Sequence, residues 1–162
     1  MVSNPSPETK LTALGDEPRP LEEWLTTFHL ASVVLDPYTN ESSWVLKPAL
    51  RILDALRGSS ARVNLVVTAS ADDARKFLGP IADEILVFAD PDRQLVKSLG
   101  LAKLPAFVFI RIDGTVQAST EGWNAEAWHG VASAIAEATA WLAPDAFSPG
   151  DPGPFHGTPA LG

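Results

Sequence analysis

The stretch from Asp36 to Ser43 gathers most of the polar chemistry of this sequence, with Asp36, Tyr38, Thr39, Asn40, Glu41, Ser42 and Ser43 in close succession. Asp36, Glu41 and the Tyr38 phenol could act as acid and base on a small molecule, or the two carboxylates could hold a hard cation. No third acidic group converges on them in sequence, and a solvated acidic loop is the simpler account. The hydroxyl of Ser42 or Ser43 becomes a nucleophile only with a base in hydrogen-bond reach. His29 is the nearest histidine; it precedes the strand that feeds this loop and should emerge at that strand's opposite end. His129 and His156 lie far off, and the three histidines form no ligand-spaced pair, so neither metal nor cofactor is expected. Asn, Glu and Ser at a helix start have a simpler role, accepting or complementing free N–H groups there. Asp90, Asp92 and Arg93 read the same way. The sequence contains no cysteine, which removes disulfides, thiolate metal sites and thiol redox catalysis together.

The elements that would position these residues alternate along the chain. Residues 1–19 form a proline-containing lead-in with a short strand at 10–14. Leu21, Trp24, Leu25 and Phe28 then repeat at helical spacing after Pro20. ASVVL (31–35) is a buried strand, and the apolar period from Trp44 to Leu56 is a helix that Gly58 ends and Pro48 kinks. Residues 63–69 form a strand, and Ser70 with Asp73 opens a helix to Leu78. A strand over 84–88 follows, then a helix that Asp90 and Pro91 would start and Gly100 would close. Residues 106–112 are strongly β, and Asp113-Gly114 turns the chain into a hairpin strand over 115–119. Asn124 caps a last helix over 125–142 whose core side carries Trp128, Val131, Ile135 and Leu142. Residues 143–162, rich in Pro and Gly, cannot build a core and are expected to be loose or superficial. The pattern predicts an α/β domain over 20–142, a mixed sheet with helices on both faces.

A chain of 162 residues is long enough for one well-filled core. A net charge of −8, without a compensating basic stripe, argues against nucleic acid or an anionic membrane as partner. The apolar runs are strand-length, and the polar N-terminal stretch lacks the features of a secretory signal, which makes the cytoplasm the default expectation.

This order of elements resembles the thioredoxin-like superfamily. In thioredoxins a strand leads into C-x-x-C at a helix start, with a kinking proline five residues beyond the second cysteine. Here ASVVL leads to Asn40-Glu41-Ser42-Ser43, and Pro48 lies five residues beyond Ser43. The stretch LGLAKLPAFVFIRIDGTV looks like the family's cis-proline strand and hairpin, which would put the cis bond at Leu104-Pro105. FADPDRQLVKSLGL is similar to the segment that precedes it in peroxiredoxin-like relatives, and Gly122 falls where the family has a groove-lining glycine. Asn40 and Ser43 stand where the two cysteines would be. Serine cannot form a mixed disulfide, so the family's redox activity does not carry over.

The resemblance implies a groove built from Thr39, Asn40, Glu41, Ser42, Ser43, Leu104, Pro105, Gly122 and Trp123. The leading expectation is a redox-inactive module binding an extended peptide of another protein there. Trp123 would be an apolar anchor or would pack under the last helix, and Asp36 with Glu41 would form a negative rim suited to a basic-apolar segment. Trp24 and Trp128 fit helix core faces; Trp44 could be core or flank the groove. Two alternatives stand beside this reading: an enzyme using non-thiol acid–base groups, and a structural subunit with a vestigial groove.

Overall fold

The computed structural model describes residues 2–145 and 147–162. Its elements are β1 (Lys10–Ala13), β2 (Arg19–Pro20), α1 (Leu21–Trp24), β3 (His29–Leu35), α2 (Asn40–Leu56), β4 (Ala61–Val67), α3 (Ala71–Leu78), β5 (Leu86–Ala89), α4 (Gln94–Leu99), β6 (Lys103–Leu104), β7 (Ala106–Ile110), β8 (Val116–Glu121), α5 (Ala125–Thr139) and β9 (Thr158–Pro159). The main sheet runs β2-β1-β5-β4-β3-β7-β8, parallel at β5-β4-β3 and antiparallel at the β3-β7-β8 end. The short strands β6 and β9 form a second, two-stranded sheet.

Alternation along the central strands divides the apolar side chains between two cores. Val33, Phe107 and Phe109 pack beneath α2 and α5 with Ile52, Trp128 and Ile135. Val34, Val108 and Ile110 face the other way, onto Leu21, Trp24, Leu95 and Leu99. Both faces of the sheet are therefore covered, which explains the unbroken burial of β3 from Leu30 to Leu35.

Several helix ends differ from the sequence expectation. The helix beginning at Leu21 is one turn long, and Phe28 lies past it with the Arg62 guanidinium 4.8 Å from its ring centre. The last helix stops at Thr139 because Ala140 turns left-handed at φ +53°. Trp141 folds back to donate its indole N–H to the Ala55 carbonyl at 2.9 Å, and Leu142, expected on the core side, is exposed. The helix after Asp90 starts only at Gln94, since Arg93 adopts a left-handed conformation at φ +56°. Asp90 still serves its start, its two carboxylate oxygens accepting from Gln94 N–H at 2.8 Å and Leu95 N–H at 3.0 Å. Ser70 and Asn124 cap their helices as read, accepting from the N–H groups of Asp73 and Ala127.

Candidate functional site

Strand β3 ends at Leu35, and the chain turns through Asp36 to Thr39 into α2. Three bonds fix this turn. Ser42 Oγ accepts from the Asp36 N–H at 2.8 Å, Thr39 Oγ1 donates to the Asp36 carbonyl at 3.0 Å, and Asp36 Oδ1 accepts from the Tyr38 N–H at 3.1 Å. Thr39 occupies the N-cap position without a side-chain capping bond, so the expected capping by Asn40, Ser42 and Ser43 does not occur. Ser42 is buried and holds the turn instead, while Asn40 and Ser43 are exposed on the first turn of α2. His29 lies at the other end of β3, its Nδ1 accepting from the Ile112 N–H at 2.8 Å, far from either serine.

The acidic residues do not converge. Asp36 is buried, and its Oδ2 meets Arg93 Nη2 at 3.3 Å. Tyr38 turns outward to donate its hydroxyl to Asp73, a bond that holds the phenol's pKa above its ordinary value. Asp36 therefore supplies no exposed negative rim.

Opposite this turn lies the loop through Leu104 and Pro105, whose joining peptide bond is cis. Pro105 O accepts from the Gly122 N–H at 2.7 Å, which holds the end of β8 beside the loop. Between these walls, where an open groove would lie, runs the Pro/Gly-rich segment of the chain itself. β9 pairs antiparallel with β6, placing Thr158 opposite Leu104 and Pro159 opposite Lys103. The Ala160 N–H extends the ladder to the Ala102 carbonyl at 3.0 Å. Phe155 and Trp123 exchange two backbone hydrogen bonds of 2.8 and 2.9 Å. The expectation of a loose segment gives way to a strap laid across the fold.

Side chains fasten the strap along its length. Arg51 on α2 grips Asp151 through two parallel bonds of 3.0 and 2.7 Å, holding that carboxyl below its ordinary range. The Trp123 indole N–H donates to the Pro152 carbonyl at 2.8 Å. Phe155 meets the ring of Trp44 edge-on, their centres 5.7 Å apart. Ala160 is 1% exposed among the residues of the second core, and its carbonyl accepts from Arg93. The same guanidinium thus joins the strap to Asp36.

All the groove residues named from sequence lie in the two loops, the first turn of α2 and the end of β8, but they are not open to solvent together. Trp123 is 2% exposed and meets Trp128 edge-on, their ring centres 5.1 Å apart, so its ring is core rather than a protruding anchor. Trp44, at 53% exposed, flanks the groove. Arg51 and Phe155 were not named from sequence, and Arg93 was read only as part of a helix start.

The fold is thioredoxin-like. No protein-family profile and no curated protein sequence matches the chain, but solved structures do. A putative thiol:disulfide interchange protein DsbE from Chlorobium tepidum superposes with a TM-score of 0.67 at 19% identity, over 83% of this chain and 97% of that one. A cysteine-to-serine mutant of PrxQ from Xylella fastidiosa gives 0.66 at 15% identity, over 85% and 97%. A secreted Mycobacterium tuberculosis disulfide oxidoreductase gives 0.61 at 17%, over 78% and 96%. The present chain has this architecture and no cysteine. Among the described residues, no helix is long and apolar enough to cross a membrane.

Proposed function

We propose that the protein is a redox-inactive thioredoxin-like binding module whose groove takes an extended segment of another protein. The supporting observation is that Leu104 and Trp123, on the wall opposite the Asp36 turn, already pair with extended chain at Thr158 and Phe155. Strand addition of this kind draws affinity from main-chain bonds and selectivity from neighbouring pockets, and needs no sulfur. The acid–base alternative has less support, because Asp36 is committed to Arg93 and Tyr38 to Asp73.

A filled groove also favours a second reading, a structural subunit that meets its partner elsewhere. Photo-crosslinking separates the two. A benzoylphenylalanine introduced at the exposed Ser43, on the groove rim, should capture a discrete partner from source lysate. The same group at the exposed Glu137, on the outer face of α5, should not. Capture at Glu137 alone would replace the groove reading with the structural one.

A further inference from the structure

We infer that residues 151–160 spell out the chemistry the groove accepts: an acidic residue, three spacers, an aromatic, one spacer, glycine, threonine or serine, proline and a small residue. This rests on the groove-binding reading and names its ligand class. A partner carrying such a segment would dock antiparallel to Lys103–Leu104 in place of the strap.

Each position is argued from a contact. Gly157 has φ +89°, and a Cβ there would stand 2.6 Å from the Leu104 carbonyl oxygen and 3.3 Å from Gly122 Cα, so any side chain is excluded. The residue two before it must offer both backbone groups to Trp123 and a ring to the edge of Trp44, as Phe155 does. Thr158 directs its hydroxyl to the Leu104 carbonyl at 3.4 Å, a contact that serine could reproduce. Pro159 is exposed beside Lys103, a place where a strand needs no N–H. Position 160 must be small because it is enclosed, with its carbonyl turned to Arg93. Four residues before the aromatic, a carboxylate meets Arg51. Arg51, which meets a side chain of the strap, suits an acidic residue at that position rather than a basic one.

The test uses the full chain and a fluorescent peptide, DPGPFHGTPALG, copied from residues 151–162. Gly157→Val in the protein unseats its own strap, and fluorescence polarisation then reads the vacated groove. The variant should bind the peptide at least tenfold more tightly than wild type does. Peptides with valine for the glycine, or alanine for the phenylalanine, should bind at least tenfold more weakly. Asp151→Ala in the protein removes the ion pair and the Ser148 contact while leaving the Gly157 seat intact, and should give the same peptide ranking with a gain of about threefold; it serves if Gly157→Val fails to fold. If a folded variant bound a scrambled peptide as well as the native one, the inferred code would fall while the groove reading stood. If it bound neither, both would fall.

Discussion

Arg51 and Asp151, a hundred positions apart in sequence, meet in a two-pronged ion pair with bonds of 3.0 and 2.7 Å. The geometry matches a planar guanidinium to a carboxylate, and the Ser148 N–H adds a third bond to the same Asp151 oxygen at 2.9 Å. It is the first clasp of the strap after α5.

Acid should release that clasp. The Asp151 carboxyl is held below its ordinary value, chiefly by the Arg51 hydrogen bonds. Its contribution is therefore present above the unfolded value of about 4 and is lost as pH falls through the lower folded value. The Trp123 indole proton signal should shift over that range as the Pro152 bond is lost. Asp151→Asn should move this signal toward the released position at neutral pH and flatten its acid titration. An unchanged acid limb in the variant would show that Asp151 does not hold the strap.

Asp90 should show the opposite slope. Burial holds its carboxyl above the ordinary value, against the pull of the Gln94 and Leu95 N–H bonds. The folded protein then binds this proton more readily than the unfolded chain, so the contribution is fullest below about pH 4 and shrinks as pH rises through the folded value. Asp90→Asn keeps one acceptor and turns an NH2 group toward a backbone N–H, at a cost of about 1 kcal/mol. Urea melts of both proteins from pH 3 to pH 7 should give curves that differ in slope above pH 4.

Gly122→Ala should loosen the strap from its other side. Gly122 has φ +77°, and a Cβ would stand 2.4 Å from the Phe155 carbonyl oxygen, which is backbone and cannot swing aside. Strain of about 1–3 kcal/mol is expected. Hydrogen exchange should show lost protection at the Phe155 and Trp123 amides with β3 and β4 unaffected. Full protection at both would mean that the close approach is not real.

Ser42→Ala should destabilise the whole domain rather than the strap. It leaves the buried Asp36 N–H without its acceptor, a loss of about 1–3 kcal/mol. The urea midpoint should fall at constant slope. A midpoint within error of wild type would remove Ser42 from the turn's support.

Asn40→Cys with Ser43→Cys should form an intramolecular disulfide under mild oxidant. Residues three apart on the first turn of a helix are neighbours, and both positions are exposed. Intact mass would record the loss of two hydrogens; free thiols after oxidation would mean the turn holds them apart.

The central sheet was legible because its signals are local. The runs at 31–35, 63–67 and 106–110 are short, mostly apolar and rich in valine or aromatic residues, and Ser70 and Asn124 announce their helices by residue type. Arg93 was misread because the partners of its guanidinium, Asp36 and the Ala160 carbonyl, lie far off in sequence. The strap was missed for the same reason on a larger scale. A Pro/Gly segment has no periodicity of its own, and the surface that orders it is supplied by Leu104, Trp123 and Arg51 from elsewhere in the chain. The candidate groove residues follow from the thioredoxin resemblance, but nothing local says that chain already lies across them.

Tethering gives that occupancy a concentration. A segment joined to its site by a short linker faces it at an effective concentration on the order of millimolar. A free peptide with the same contacts would have to approach that level to hold half of the grooves. Chance encounters with extended chain, abundant wherever proteins are being made, therefore leave the site shut. On the proposed binding reading, a partner that opened it would have to bring additional contacts outside the strap's footprint, for which the exposed faces of Trp44 and Tyr38 lie at hand, or be held nearby by a second attachment.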